Sequence, residues 1–530
     1  MTSKPIAYGQ ARNILAPKEK IGQLFMPAAF INDSEEEIQK LEVLIREQCI
    51  GSVCFFHSRA SAATNFEGKK QVEFNTKSFE VLKQRIARYQ KAAKYPLLIA
   101  IDAEWGLAMR IENTPQYPYA ISLGAIQNRP ELIFEVGKHI ANDCKAAGIH
   151  WNLAPVVDIN NNKNNPVIGY RSFGEDRSLV TKKASAFIKG TQSEGVLTSI
   201  KHFPGHGDTA TDSHLGLPLI EKSKETLVAN ELYPFQELIK EGVDSVMIGH
   251  LSVPSLADGK KTPSSICKEI ITGVLRKEMG YDGVVISDAL NMHAVAQQYP
   301  VKGQLEWLAF DAGNDVLCFA EHIAEGIETI ARNASKDQIE KAFARIWKLK
   351  EKAFSNIPEI VPQLSDETPL NRKIAFYSLT MIKGTETILQ QFRETAFKVF
   401  GNIPNTNNSF LNAIWAQRSV KALEKDSEMA PDLPVNEKGQ PVVLALFPPQ
   451  VKPNNTFGFA ENELNDINTL ILENDVVLYL FGNPYCLEHI AFEHTKATIV
   501  AYQQFETFQE HAAQHFLGKA KALGKLPIQL

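Results

Sequence analysis

Eighteen consecutive residues, Lys201-His-Phe-Pro-Gly-His-Gly-Asp-Thr-Ala-Thr-Asp-Ser-His-Leu-Gly-Leu-Pro218, bring together three histidines, two aspartates, a lysine, three glycines and two prolines. Glycine and proline at that density predict a loop with a fixed backbone path. The loop follows an apolar run, Gly195–Ile200, that reads as a buried strand, and titratable loops on the ends of core strands are where chemistry concentrates. His202, His206, Asp212 and His214 admit a metal-site reading, since imidazole and carboxylate suit zinc or iron. Their spacing matches no zinc signature, and the glycines serve equally to bring backbone close to a ligand. The other reading pairs Asp212 with His214. Two residues apart on an extended segment, their side chains point the same way, so the carboxylate can fix the tautomer of the imidazole. His214 is then a candidate general acid/base near neutral pH.

A second candidate lies about seventy-five residues downstream, where Asp288 closes the apolar strand pattern Val284-Val-Ile-Ser287. It is either the N-cap of a following helix or a catalytic carboxylate. A carboxylate nucleophile beside a proton-transferring group is the two-group arrangement of retaining glycoside cleavage, with histidine in place of the second carboxyl. A third group is Asp102-Ala-Glu-Trp-Gly-Leu-Ala-Met-Arg110, with two carboxylates, an indole and a guanidinium. Carboxylate and arginine bond vicinal hydroxyls, and Trp105 can stack on a sugar face; a structural ion pair involving Glu104 or Arg110 is the alternative. Arg171, in Val167–Gly174, is either a solvated turn arginine or a ligand contact.

These groups need a scaffold that gathers them. Apolar runs at Ile21–Pro27, Gly51–Phe56, Pro96–Glu104, Ile149–Ile159, Val196–Lys201, Ser245–His250, Gly283–Asp288 and Asn314–Phe319 predict eight strands, with helical patterns between them. Ser34-Glu-Glu-Glu37 and Ser335-Lys-Asp-Gln338 read as capping boxes opening two of the helices. Eight β/α alternations without a Gly-rich phosphate fingerprint predict a (β/α)8 barrel of the TIM type. Asp102, Glu104, Asp158, Lys201, His202, His250 and Asp288 all fall at the C-terminal ends of strands, the active-site rim of such a barrel. Asn356–Pro362 reads as a linker. Apolar runs at Val442–Phe447, Val476–Phe481 and Thr498–Tyr502 predict a smaller α/β domain, so that the expected division is a barrel over 1–355, a linker over 356–366 and an α/β sandwich domain over 367–530.

At 530 residues the chain is too long for one core, and its net charge of −5 offers no basic field for nucleic acid. Six scattered cysteines without CxxC pairs read as reduced core residues. The start of the chain has no apolar segment of signal type and no run of eighteen apolar residues occurs, which predicts a cytoplasmic protein, or a periplasmic one if a leader has been removed, with no membrane partner.

Lys201-His-Phe-Pro-Gly-His-Gly207 with Asp212-Ser-His214, together with Ile168-Gly-Tyr-Arg-Ser-Phe-Gly174 and Val285-Ile-Ser-Asp-Ala-Leu290 in order and spacing, resembles glycoside hydrolase family 3. The likeness is to its β-N-acetylglucosaminidase branch, which trims peptidoglycan fragments, in the two-domain form; it covers roughly residues 15–350, and the close of the chain resembles the end of the family's second domain. The resemblance implies that Asp288 is the nucleophile and that His214, oriented by Asp212, is the acid/base. It also implies that Asp102, Arg110, Arg171, Lys201 and His202 hold the sugar being cleaved. No metal and no organic cofactor are expected, and the partner is a carbohydrate.

This sequence departs from the family's Asp-x-Glu-Gly-Gly-Arg-Val-x-Arg, with Trp105 for a glycine and Leu107 for the first arginine. That bears on the wall of the sugar site and so on the substrate. Ala289 after Asp288, and the intact Asp212-Ser-His214, separate the chain from the glucosidase branch. The expectation is a retaining exo-β-N-acetylglucosaminidase. A β-glucosidase or xylosidase of the same family is the first alternative, ahead of a metal-dependent hydrolase or a carbohydrate-binding protein without activity. Phosphate in place of water is a minor variant, since a neutral imidazole repels that anion less than a carboxylate does.

Overall fold

The computed structural model describes residues 4–57, 74–209, 216–355, 362–404, 407–417 and 438–530. By packing, the chain forms two compact units. The first takes in 1–116, 133–162 and 184–366, and the second 117–132, 163–183 and 367–530. Of the expected linker, residues 356–361 lie outside the described residues.

In the first unit, β1 runs through Phe25–Met26 and, past Pro27, Ala28–Phe30. It is followed by β2 (Ser52–Phe56), β3 (Leu98–Ile101), β4 (Trp151–Asn152), β5 (Leu197–Phe203), β6 (Ser245–Ile248), β7 (Val284–Ser287) and β8 (Leu317–Cys318). Neighbours in sequence pair in parallel from β1 to β7, for example Ala28 with Cys54, Ser52 with Leu98 and Ser245 with Val284. Ile286 bridges Val316 ahead of β8, and β8 pairs back onto β1 through Leu317 and Phe25. The parallel sheet therefore closes on itself as a (β/α)8 barrel. Closure leaves no edge and buries both faces of each strand, which is why the strands read as continuous apolar runs. All the C-terminal strand ends, and the polar residues just beyond them, open on one rim.

The first predicted strand begins too early. Ile21 lies in a helix, Pro17–Gly22, that starts with proline in its first turn, and the Glu19 carboxylate caps the N–H of Ala16 at 2.8 Å. The strand proper starts at Phe25. Both predicted capping boxes form. Ser34 opens Glu35–Glu47, with the Glu37 carboxylate accepting from the Ser34 N–H at 2.8 Å. Ser335 and Gln338 exchange the equivalent bonds at the start of Lys336–Ser355. The long helix Lys336–Ser355 buries Phe343 and Trp347 against Ala11 and Leu15 of the N-terminal segment. The Trp347 indole N–H donates to the Ile6 carbonyl at 2.9 Å.

The second unit carries a five-stranded sheet, with β9 (Thr380–Lys383), β10 (Lys398–Gly401), β11 (Pro441–Leu446), β12 (Asp475–Leu480) and β13 (Ala497–Val500) in the order β9-β13-β12-β11-β10. Only β9 is antiparallel to its neighbour. β9 and β10 escape the sequence reading because Thr380-Met-Ile-Lys383 and Lys398-Val-Phe-Gly401 are short and half-polar. Helix Glu506–Phe516 packs Ala512, Ala513 and Phe516 into the core with Val443, Tyr479 and Ile499. All six cysteines are buried and unpaired. Among the described residues no helix is long and apolar enough to cross a membrane.

Trp347 fills the space between the barrel and its N-terminal segment. Trp347→Ala should cost about 3–5 kcal/mol, the range for emptying a fully buried aromatic site. A lowered urea midpoint with unchanged far-UV circular dichroism is the expected result.

Candidate active site

Directly after β3 come two carboxylates two residues apart, Asp102 and Glu104. Asn152, buried on β4, fixes the peptide between them: its Oδ1 accepts from the Ala103 N–H at 3.0 Å and its Nδ2 donates to the Ala103 carbonyl at 3.2 Å. Lys201, on β5, reaches under both. Its Nζ lies 2.7 Å from Asp102 Oδ1 and 2.8 Å from Glu104 Oε1, and the side chain is 3% exposed. On the other side of Asp102, the Arg110 guanidinium bonds Oδ2 at 3.2 Å and sits 3.7 Å above the centre of the Phe56 ring. Burial pushes the Asp102 carboxyl upward, but the Lys201 and Arg110 charges outweigh it and hold the group below its ordinary value. The ion pairs anticipated for Glu104 and Arg110 do form, each with a partner other than the other.

Past Lys201 the chain makes two cis peptide bonds, Lys201–His202 and Phe203–Pro204. Asp158, from the segment after β4, organises this turn. Its carboxylate accepts from the His202 N–H at 3.1 Å, from His202 Nδ1 at 2.8 Å and from the His206 N–H at 2.7 Å. A carboxylate can only accept, so Nδ1 carries a hydrogen and donates it. Burial raises the Asp158 carboxyl, and the His202 ring with the N–H donors more than reverses it, leaving the group below its ordinary value. His206 turns to Thr209, with Nδ1 2.8 Å from Oγ1. The glycines are required. Gly205 has φ 122°, and a Cβ on Gly207 would overlap the Ile159 carbonyl oxygen. A Cβ on Gly249 would stand 3.0 Å from the His202 Cβ.

Asp288 follows β7. Its N–H donates to the Ile248 carbonyl at 2.9 Å, and its Oδ1 accepts from the Ala289 N–H at 2.8 Å. The N-cap alternative falls away, since the next helix is the short His293–Ala296 with Met292 at its N-cap. The Cys318 thiol, buried on β8, is held well above its ordinary value, first by its hydrogen bond with Cys54 and then by burial, with the charges of Asp102 and Asp288 adding to both. Both carboxylates therefore bear on one thiol inside the barrel.

The structure thus gathers Asp102, Arg110, Lys201, His202 and Asp288 on one rim. Asp212 and His214 fall within residues 210–215, outside the described residues. Arg171 ends a short turn, Gly169–Arg171, in the second unit, and its Nη1 donates to the Val167 carbonyl at 3.1 Å. Two supporting residues had no assigned role from sequence. Asp158 was visible as a strand-end aspartate, and Asn152 as an amide within an apolar run, but nothing local names their partners. Among the described residues no group of three or more histidine, cysteine, aspartate or glutamate side chains is arranged to hold a metal ion.

The depressed Asp102 stabilises the fold above the ordinary carboxyl range near 4, and that contribution is lost as pH falls through its lower folded value. Lys201→Met leaves buried carboxylates without their ammonium and should cost about 3–5 kcal/mol near neutral pH. Protonation relieves the repulsion, so the cost should shrink toward pH 4. Urea unfolding across that range checks the sign; an equal cost at both ends would assign Lys201 a packing role only.

The model of the glycosyl hydrolase family 3 N terminal domain matches residues 17–349. A beta-hexosaminidase A of Pseudoalteromonas piscicida is 33% identical over 342 residues, which span 59% of this chain and 55% of that protein. A beta-hexosaminidase of Xylella fastidiosa (strain M23) is 34% identical over 257 residues, 47% of this chain and 75% of its own length. The solved structure of a glycoside hydrolase family 3 beta-N-acetylglucosaminidase from Paenibacillus sp. str. FPU-7 superposes with a TM-score of 0.76 at 26% identity, covering 97% of this chain and 99% of that one.

Proposed function

Because the chain belongs to glycosyl hydrolase family 3, we propose that it is a retaining exo-β-N-acetylglucosaminidase acting on terminal β-linked N-acetylglucosamine, in fragments of peptidoglycan or chitin type. The observation that carries the proposal is the Asp288 carboxylate at the end of β7, on the same rim as the Asp102–Lys201–Arg110 cluster. That supports reading Asp288 as a carboxylate nucleophile beside a polar, charge-balanced cluster suited to hydroxyl groups. The names of the 33% and 34% identical relatives support the hexosamine as substrate.

In this reading the Asp288 carboxylate bonds the anomeric carbon as the glycosidic C–O bond breaks, and the leaving oxygen takes a proton from His214. A water then gives a proton to His214 and attacks the same carbon, which releases Asp288 and restores the configuration. Asp212 orients His214. Asp102 and Arg110 bond sugar hydroxyls as a carboxylate–guanidinium pair, while Lys201 holds Asp102 ionised and contributes to the same wall. His202, its Nδ1 bonded to Asp158, lies beside Lys201 on the same strand and belongs to the same sugar-holding group. The site needs no metal or organic cofactor, and neither nucleic acid nor a membrane is part of the reading.

A relative from Cellulomonas fimi, 26% identical over 397 residues, is named a beta-N-acetylglucosaminidase/beta-glucosidase, which makes glucosides the proper competitor. Matched nitrophenyl glycosides decide the sugar: kcat/KM should be at least about 10-fold higher for the N-acetylglucosaminide, about 1.4 kcal/mol of transition-state discrimination. Faster cleavage of the glucoside would overturn the assignment. Asp288→Ala should abolish turnover of both.

A further inference from the structure

His250, directly after β6, is fully buried, and both ring nitrogens have partners. Nδ1 lies 2.7 Å from Ser265 Oγ and Nε2 lies 2.9 Å from the Ala289 carbonyl oxygen. A carbonyl oxygen only accepts, so Nε2 carries the hydrogen and donates it; in the neutral ring Nδ1 accepts the Ser265 hydroxyl proton. The serine is itself fixed. It sits in the turn Ser264–Ile266, where the Ser264 N–H and hydroxyl both donate to the Leu251 carbonyl at 2.7 Å. Its own carbonyl accepts from Asn314 Nδ2 at 2.8 Å.

Ala289 is the residue after Asp288. Its N–H donates to Asp288 Oδ1, and its carbonyl accepts from both His250 Nε2 and the Met292 N–H, the latter at 3.0 Å. The backbone around it is tied to the neighbouring strands, with the Asp288 N–H on the Ile248 carbonyl and the Leu290 N–H on the Cys318 carbonyl, each at 2.9 Å. The Ala289 carbonyl and the Leu290 N–H share one peptide plane, which the imidazole and the Cys318 carbonyl fix from two sides. The preceding plane, joined to it at the Ala289 Cα, carries the N–H that meets the Asp288 carboxylate, so a shift of the first plane moves that N–H.

We propose that His250, locked by Ser265, is a positioning residue for the Asp288 carboxylate, acting through the Ala289 carbonyl. The proposal rests on the reading of Asp288 as nucleophile. A histidine serves here because one ring can accept from a fixed hydroxyl and donate to a fixed carbonyl at once, which removes the ring's freedom to flip. Buried on all sides, it has no surface from which to meet the sugar, so its effect falls on the reaction step and not on binding.

The test uses the full chain with His250→Phe, His250→Gln and Ser265→Ala, and a 5-fluoro-N-acetylglucosaminyl fluoride as trapping reagent, with peptide mapping. His250→Phe should slow the trapping step about 100-fold, as a misplacement near 1 Å does. KM for the aryl N-acetylglucosaminide, measured under conditions where it reports binding, should stay within about threefold. His250→Gln should recover most of the rate, because its amide N–H can still reach the Ala289 carbonyl. A folded His250→Phe that labels at the wild-type rate overturns the proposal, as does a His250→Gln no faster than His250→Phe. Should His250→Phe not fold, Ser265→Ala decides: slower labelling supports the proposal and an unchanged rate overturns it. Label on wild-type protein anywhere but Asp288 sinks the nucleophile reading itself, whereas label on Asp288 at unchanged rates in the variants sinks only the role of His250.

Discussion

The site is arranged around a buried ammonium. Lys201 comes off β5 almost without solvent contact, and such a charge is tolerable only where opposite charge replaces the lost water. Asp102 and Glu104, two residues apart after β3, supply it, and Asn152 on the strand between β3 and β5 holds their backbone in place. Three adjacent strands are thereby fixed in relation to one another at the rim. Arg110 then balances the second oxygen of Asp102, with the Phe56 ring beneath its guanidinium. Four charged groups, two of each sign, thus balance one another at the ends of β3 and β5.

A second buried charge, Asp158, does the same for the histidine turn. Its carboxylate gathers the N–H groups of His202 and His206 and the His202 ring, so the backbone after Lys201 and the tautomer of the imidazole are set together. Gly205, Gly207 and Gly249 make room for that turn, one by its backbone conformation and two by lacking a Cβ where other atoms already stand. Asp288 is held differently, by backbone bonds to β6 and β8 and by the N–H of its successor. The Asp102 cluster thus depends on charge balance, whereas main-chain bonds to β6 and β8 fix the backbone that carries Asp288.

Much of this was legible in the chain. Apolar runs, five of the eight with a charged or titratable residue at the C-terminal end, mark strands of a closed parallel sheet because burial on both faces removes any alternation. The Ser34 and Ser335 boxes were readable because their bonds span three residues. Ile21 reads as strand because a helix turn and a strand share the same apolar letters when a loop separates them by only two residues. Thr380–Lys383 and Lys398–Gly401 do not show as strands in the sequence because a short strand with polar ends carries too little pattern to stand apart from a loop.

By itself the sequence determined the barrel, the residues on its rim and the family, since strand patterning and the long Lys201–His214 motif are properties of consecutive residues. Only the tertiary structure decided which charge answers which. Lys201 meets carboxylates about a hundred residues earlier, Asp158 meets His202 across 44 positions, and His250 meets Ala289 across 39. Such partnerships are fixed by barrel closure, which sets side by side strand ends that the chain keeps far apart, and no local spacing encodes them.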